Sequence, residues 1–339
     1  MDRSPTPRPA ALAPLCGREH DLIQLVALLH GGVTLLTLRW PGGIGKTALA
    51  QHLARRLTDD YDHVQFIDLS AVRAADQVAN LIVAALPAAD HALEPGRLMR
   101  EFTAGRRTVL VLDNFEQVLP AAALLGEWLA STEHLQLVVT SRVALNLHDE
   151  HDYLVRPLSL PLGTRDVLGS AAVQLFVARV QAVLPTFTLN ARTTPQVMRL
   201  CELLEGVPLA LELAAVRTRS YSLGDLLVQL EHPLDLLKAN FQDRPERLRS
   251  LRAAVEWSYN LLDEQERAVF ECCAVFKGSF TPQALTAVWG SPEVLGQAES
   301  LLEQSFLHRL EASETLWKML EPLRELAHEH LAHNPLTPT

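Results

Sequence analysis

Residues 40–47, Trp40-Pro41-Gly42-Gly43-Ile44-Gly45-Lys46-Thr47, form a glycine-rich turn closed by a lysine and a hydroxyl. Residues of these types at this spacing can hold polyphosphate. Glycines free backbone N–H groups to face an anion, Lys46 can reach β- and γ-phosphates, and the Thr47 hydroxyl can hold Mg²⁺. The full pattern is G-x-x-x-x-G-K-[ST], and the chain departs from it at the first position, where Trp40 stands in place of glycine. Gly42, Gly43 and Gly45 keep most of the backbone cradle, with Pro41, Ile44 and Ala48 completing the turn and the first helical residues. The plain alternative is a chance glycine-rich turn between a core strand and a helix. Against it stands the intact Gly-Lys-Thr triplet, placed between an apolar run and a helical period.

Further along, the apolar run 108–112 (TVLVL) ends in Asp113-Asn114. A buried parallel strand ending this way delivers a carboxylate beside a Mg²⁺ ion held by Thr47. Asn114 follows Asp113 directly. A carboxamide can position water but is not a base at neutral pH, so turnover is expected to be slow. Glu116 is expected to point elsewhere. Arg142, after the run 135–139 (LQLVV), is either a γ-phosphate contact on the same sheet edge or an ordinary solvated arginine. Trp40 has two open placements, packed against a neighbouring helical or winged-helix domain or lying beside the nucleotide as a steric gate. Burial between domains is favoured because it removes the ring from water without blocking phosphate.

The elements that must position these groups follow from the periodicity. The run 33–38 reads as a buried strand, and residues from 46 onward (KTALAQHLARRL) as a helix. Strands alternate with helices from 33 to about 157, the pattern of an α/β P-loop domain whose parallel sheet carries helices on both faces. Residues 156–161 read as an extended exit, and 166–237 as successive helices broken at Gly206-Val207-Pro208. A polar linker is expected at 238–247. Helices follow at 248–261 and 263–275, then a third from Pro292 to Gln304 capped by Ser291, and a hairpin from 306–311 and 316–320. Helices followed by such a hairpin make a winged helix. The predicted organisation is a leader at 1–14, the nucleotide-binding domain at 15–160, an all-helical domain at 161–240, a winged-helix domain at 241–335 and a tail at 336–339.

Composition narrows the class. The 339 residues suffice for two or three small domains with real cores, and 48% hydrophobic content supports them. A formal net charge of −10 argues against a general nucleic-acid-coating surface. The helix that would enter a major groove, 292–304, carries Glu293, Glu299 and Glu303 and no Lys or Arg, so direct DNA binding by this chain is not expected. Arg244, Arg247, Arg249 and Arg252 lie in the linker and first helix, suited to interdomain contact or solvent. Cys16, Cys201, Cys272 and Cys273 lack disulfide or metal-ligand spacing, and His328, His330 and His333 read as a polar helix end. No run reaches membrane-spanning length, and the Pro-rich N-terminus is no signal peptide, so a soluble, cytoplasmic protein is expected.

Taken in order, Leu15-Cys16-Gly17-Arg18-Glu19, PGGIGKTALA, VLVLDNFEQVL, LVVTSR, EGVPLALELAA (205–215), AVEWSYNLLDEQERAVF (254–270) and AVFKGSFT resemble a STAND-class P-loop NTPase of the NB-ARC type. The similarity is to the ATPase core of large bacterial transcriptional regulators and spans residues 15 to about 331. It implies ATP or ADP with Mg²⁺ as cofactors, Gly17, Arg18 and Pro208 around adenine and ribose, and slow ATP hydrolysis. It also implies a signalling switch whose domain arrangement and self-association follow the bound nucleotide. In that family a Met-His-Asp triplet places its histidine on the β-phosphate of ADP; Met319-Leu320-Glu321 stands there and lacks that donor. Neither a helical-repeat sensor nor a separate DNA-binding domain is read. Either the chain is a fragment of a larger regulator, or sensing and output reside on other chains. A nucleotide-deficient interaction scaffold and a P-loop phosphotransferase are the rival readings.

Overall fold

The computed structural model describes residues 14–87, 93–161, 167–230, 233–237, 249–310 and 313–333. Residues 1–13 of the expected leader (1–14), the expected linker at 238–247 and the expected tail at 336–339 lie outside the described residues. The chain forms two compact units, the first from residues 1–38, 47–141 and 145–153 and the second from 39–46, 142–144 and 154–339.

In the first unit, helix α1 (Glu19–His30) precedes strand β1 (Leu35–Arg39), and helix α2 (Lys46–Leu57) follows the glycine-rich turn. Then come β2 (His63–Asp68), α3 (Asp76–Ala84), α4 (Pro95–Thr103), β3 (Thr108–Asp113), a 3-10 turn at Phe115–Ala121, α5 (Ala122–Ser131), β4 (Leu135–Ser141) and β5 (Glu150–Leu154). The sheet order is β2-β3-β4-β1-β5, with β2–β3 and β3–β4 parallel. All six residues of β3 are buried, because the strand has a neighbour on each side and helices over it; hence it reads as a continuous apolar run with no alternation. Leu110, Leu112, Leu137 and Val139 form one core with Ile82 of α3, Met99 and Phe102 of α4, and Leu125 and Trp128 of α5. This parallel α/β layering is the one the strand–helix alternation predicts.

The second unit opens with α6 (Ala171–Val183), α7 (Thr193–Leu203), α8 (Pro208–Arg217), α9 (Leu223–Gln229) and α10 (Pro233–Leu236). Gly206, at φ +69°, turns the chain from α7 into α8, and a Cβ there would run into the Leu158 carbonyl. Glycine alone satisfies both conditions. Next are α11 (Leu251–Tyr259), α12 (Glu264–Cys273), β6 (Ser279–Phe280), α13 (Pro282–Trp289), α14 (Val294–Glu303), β7 (Leu307–Leu310), β8 (Ser313–Met319) and α15 (Glu321–His333). Side-chain caps set several starts: Ser250 accepts from the Ala253 N–H, Asp263 and Glu266 form a reciprocal capping box, and Thr281 caps α13 ahead of Pro282.

Three local expectations change here. A helix at Pro282–Trp289 stands between the second and third expected ones, opened by Thr281-Pro282 and closed by Gly290 at φ +89°. The helix expected from Pro292 begins at Val294, and Ser291 makes only a 3.4 Å bond from the Glu293 N–H without capping it. The hairpin β7–β8 gains β6 as a third strand, giving the antiparallel order β6-β8-β7. Among the described residues no helix is long and apolar enough to cross a membrane.

Candidate functional site

In the first unit the site is built on α2 and the ends of β3, β2 and β4. Thr47, in the first turn of α2, donates its hydroxyl toward both carboxylate oxygens of Asp113 at 3.0 Å. Asp113 ends β3 and is 1% exposed. Burial pushes its carboxyl above the usual carboxylate range, partly offset by hydrogen bonds from Thr140 and Thr47, while Asp68 and Glu116 raise it further. A buried carboxylate with an adjacent hydroxyl at a helix N-terminus is an arrangement a hard cation relieves.

Asn114 follows in the left-handed region at φ 63°, a conformation asparagine tolerates better than most residues. Its N–H donates to the Thr140 hydroxyl at 2.9 Å. Its amide Nδ2 donates to Asp113 Oδ2 at 2.9 Å and to Asp68 Oδ1 at 3.0 Å. Asp68 was not among the sequence candidates. It ends β2 in register with Asp113 and is exposed. The sequence signal for it was an acidic residue closing the strand HVQFID, legible only once β2 is known to pair with β3. Glu116 lies in the 3-10 turn, 8% exposed. Ala48 stands exposed beside Thr47 in the first turn of α2. Gly17 takes φ 66° before α1, and Arg18, 5% exposed, pairs with Asp21 at 3.2 Å.

The turn itself belongs to the second unit. Gly43 and Gly45 adopt φ 87° and 93°, which only glycine takes without strain. Trp40 is not among the positive-φ residues, so the first position accepts a side chain; this is why the departure there leaves the turn intact. Lys46 folds its ammonium back onto the Trp40 and Pro41 carbonyls, the latter at 3.3 Å. Ile44 is buried at 1%. The Gly43 carbonyl accepts from the Leu209 N–H at 3.1 Å, which sets Pro208 and the start of α8 beside the turn. A Cβ on Gly42 would stand 3.1 Å from the Ala254 carbonyl and 3.4 Å from the Arg142 guanidinium. Arg142, 7% exposed, donates to the Ser258 hydroxyl of α11 and is therefore not an ordinary solvated arginine.

Trp40 is 3% exposed, its ring centroid 6.1 Å from that of His308 on β7 at an interplanar angle of 46°. Trp40, Pro41 and Gly42 border an apolar cavity of about 20 Å³ together with Val255, Leu320 and Leu323. Leu320 thus presents a hydrocarbon side chain beside the turn. Strand β8 and the start of α15 are both tied to Glu205. Lys318 of β8 pairs with Glu205, and Glu205 also accepts from the Glu321 N–H at 2.6 Å.

His308 carries a consequence of this packing. Burial, with Lys318 and Arg156 adding repulsion, lowers its imidazole to about 4 from an ordinary 6.5. The folded chain therefore holds fewer protons than the unfolded chain between those values. The stability contributed by the neutral ring is full above about pH 6.5 and is lost as pH falls toward about 4. Urea melts at about pH 7 and about pH 5 are expected to show that loss, and His308→Phe, which keeps a ring against Trp40, to flatten it. An equal pH dependence in the variant would place the titration elsewhere.

No protein-family model matches the chain. Among curated proteins it is 34% identical to the uncharacterized protein Rv0894 of Mycobacterium tuberculosis over 310 residues, covering 87% of this chain and 75% of that protein. It is 33% identical over 308 residues to Rv0890c of the same organism, a protein named as an HTH-type transcriptional regulator, covering 88% of this chain. The chain spans about a third, 34%, of that regulator's length. Among solved structures the Walker-type ATPase PABY2304 of Pyrococcus abyssi superposes with a TM-score of 0.60 at 15% identity, over 92% of this chain and 95% of the other. The ORC2 protein of Aeropyrum pernix, determined in ADPNP–ADP complexes, gives 0.53 at 12% identity over 96% of each chain. The fold is that of Walker-type ATPases.

Proposed function

The chain belongs to the same family as the mycobacterial protein Rv0894, and on that footing we propose that it is an ATP/ADP-binding signalling switch. It would be a STAND-type ATPase core of the NB-ARC kind within a bacterial regulatory protein. One observation carries the reading: Gly45-Lys46-Thr47 heads α2, and the Thr47 hydroxyl lies 3.0 Å from both oxygens of buried Asp113. That pair fits Mg²⁺, which takes one or two protein oxygens and completes its shell with phosphate and water. Held by Thr47 and Asp113, the ion would neutralise charge on the phosphates. Lys46 would leave its own loop carbonyls for phosphate, and the N-terminus of α2 would face the anion. Gly17, Arg18 and Pro208 would border the nucleoside.

The same loop hydrogen-bonds the start of α8 and packs against α11 and β7. We read α11–α15 with β6–β8 as a winged helix serving as a lid, so that nucleotide identity biases domain arrangement and self-association. The acidic residues of α14, Glu299 and Glu303, support this role over DNA reading. Titration with ATP and ADP, with and without Mg²⁺, is the direct test. Saturable binding, with Mg²⁺ tightening ATP, is expected. Steady-state hydrolysis should run far below the ~10 s⁻¹ typical of enzymes. Absence of binding under all four conditions would favour the scaffold reading, and fast turnover would show that another group activates water.

A further inference from the structure

Residue 114 cannot deprotonate water, yet its side chain is more constrained than a solvent-facing amide would be. Both N–H bonds of the Asn114 amide are directed at carboxylates, Asp113 Oδ2 at 2.9 Å and Asp68 Oδ1 at 3.0 Å. The reversed amide would set its oxygen against two acceptors, so the orientation is fixed by chemistry. Asp68 is itself held, accepting from the Ser70 N–H at 2.8 Å and the Ser70 hydroxyl at 2.9 Å. The backbone of Asn114 is pinned by its bond to Thr140. The amide oxygen is therefore turned away from both carboxylates, at the sheet edge where Thr47 meets Asp113.

Resting on the nucleotide-binding reading above, we propose that Asp68 is a positioning residue for ATP hydrolysis, locking the Asn114 carboxamide so that its oxygen orients the attacking water. The water oxygen bonds to the γ-phosphorus as the bond to the β–γ bridging oxygen breaks. ADP leaves with that electron pair, and the water's proton passes to a γ-phosphate oxygen. No side chain accepts a proton, which accords with slow turnover. Asp113 Oδ2 takes one amide N–H from the buried strand end, and exposed Asp68 takes the other.

The test uses the full chain and follows ATP affinity, single-turnover rate and melting temperature together. Asp68→Ala is expected to slow the chemical step about tenfold, about 1.4 kcal/mol, while ATP affinity stays within about threefold. Asp68→Asn keeps an acceptor for Nδ2 and should hold the rate within about threefold of wild type. Without nucleotide, Asp68→Ala and Asn114→Ala should be non-additive in melting temperature, because each removes the same bond. An unchanged rate in Asp68→Ala, or additive melting shifts, would overturn the proposal. So would Asp68→Asn as slow as Asp68→Ala, since Asp68 would then act as a carboxylate. Loss of ATP binding in Asp68→Ala would mark a merely structural role and overturn it as well. A wild-type chain that binds no ATP would instead sink the nucleotide reading, while the melting cycle would still report on the bond.

Discussion

Replacing Lys46 with alanine is expected to weaken ATP binding by roughly 10²–10⁴-fold while leaving the fold intact. The ammonium would make two charge-assisted bonds to phosphate, each worth about 1.5–3 kcal/mol in a partly desolvated site, and every 1.4 kcal/mol is about tenfold in Kd. In the structure it donates to the Trp40 and Pro41 carbonyls of its own turn. Those carbonyls sit in a turn whose shape Gly43 and Gly45 set, and the turn is further tied by the Gly43–Leu209 bond. Removing the ammonium therefore subtracts ligand contacts and little of the packing. Isothermal titration beside a thermal melt separates the two. Equal ATP affinity in wild type and variant, at equal melting temperature, would remove the phosphate-binding role from this turn.

What could be read from the chain, and what could not, divides along the range of the interactions. Strands β3 and β4 were legible because strands with neighbours on both sides are apolar throughout, and Asp113 was legible as the first charge after such a run. The glycine-rich turn was legible because its conformational demands fall on Gly43 and Gly45, within one short segment. Asp68 was missed because β2 lies at the sheet edge, where mixed residues such as His63 and Gln65 are tolerated and no apolar run announces the strand. Its partnership with Asn114 depends on the β2–β3 register, a contact across 46 residues. The bond from Arg142 to Ser258 spans 116 residues and leaves no local trace. Helix α13 is a different kind of omission. Thr281, Pro282 and Gly290 supply a cap, a first-turn proline and a left-handed terminator, but only eight residues separate start from stop.

Trp40→Gly restores the ordinary loop pattern, and the expected outcome is a less stable protein that binds ATP much as before. The indole is 3% exposed and meets His308, with Val255 and Leu320 bordering the same small cavity. Truncating a buried large aromatic costs about 3–5 kcal/mol, and the added backbone freedom of glycine about 0.5–1 kcal/mol more. The loss should appear in urea or thermal melts. Nucleotide affinity should move by less than about threefold, because what position 40 offers Lys46 is a main-chain carbonyl, which glycine also supplies. Trp40→Phe separates packing from the indole itself: a smaller ring against His308 should recover more than half of the lost stability. The opposite pattern, affinity rising sharply while the nucleotide-free melt barely moves, would make Trp40 a steric gate over the phosphates. The burial of the ring weighs against that outcome. A residue this well packed must give up contacts when truncated, whereas a gate would hold its ring in the ligand's path and spare the fold when removed.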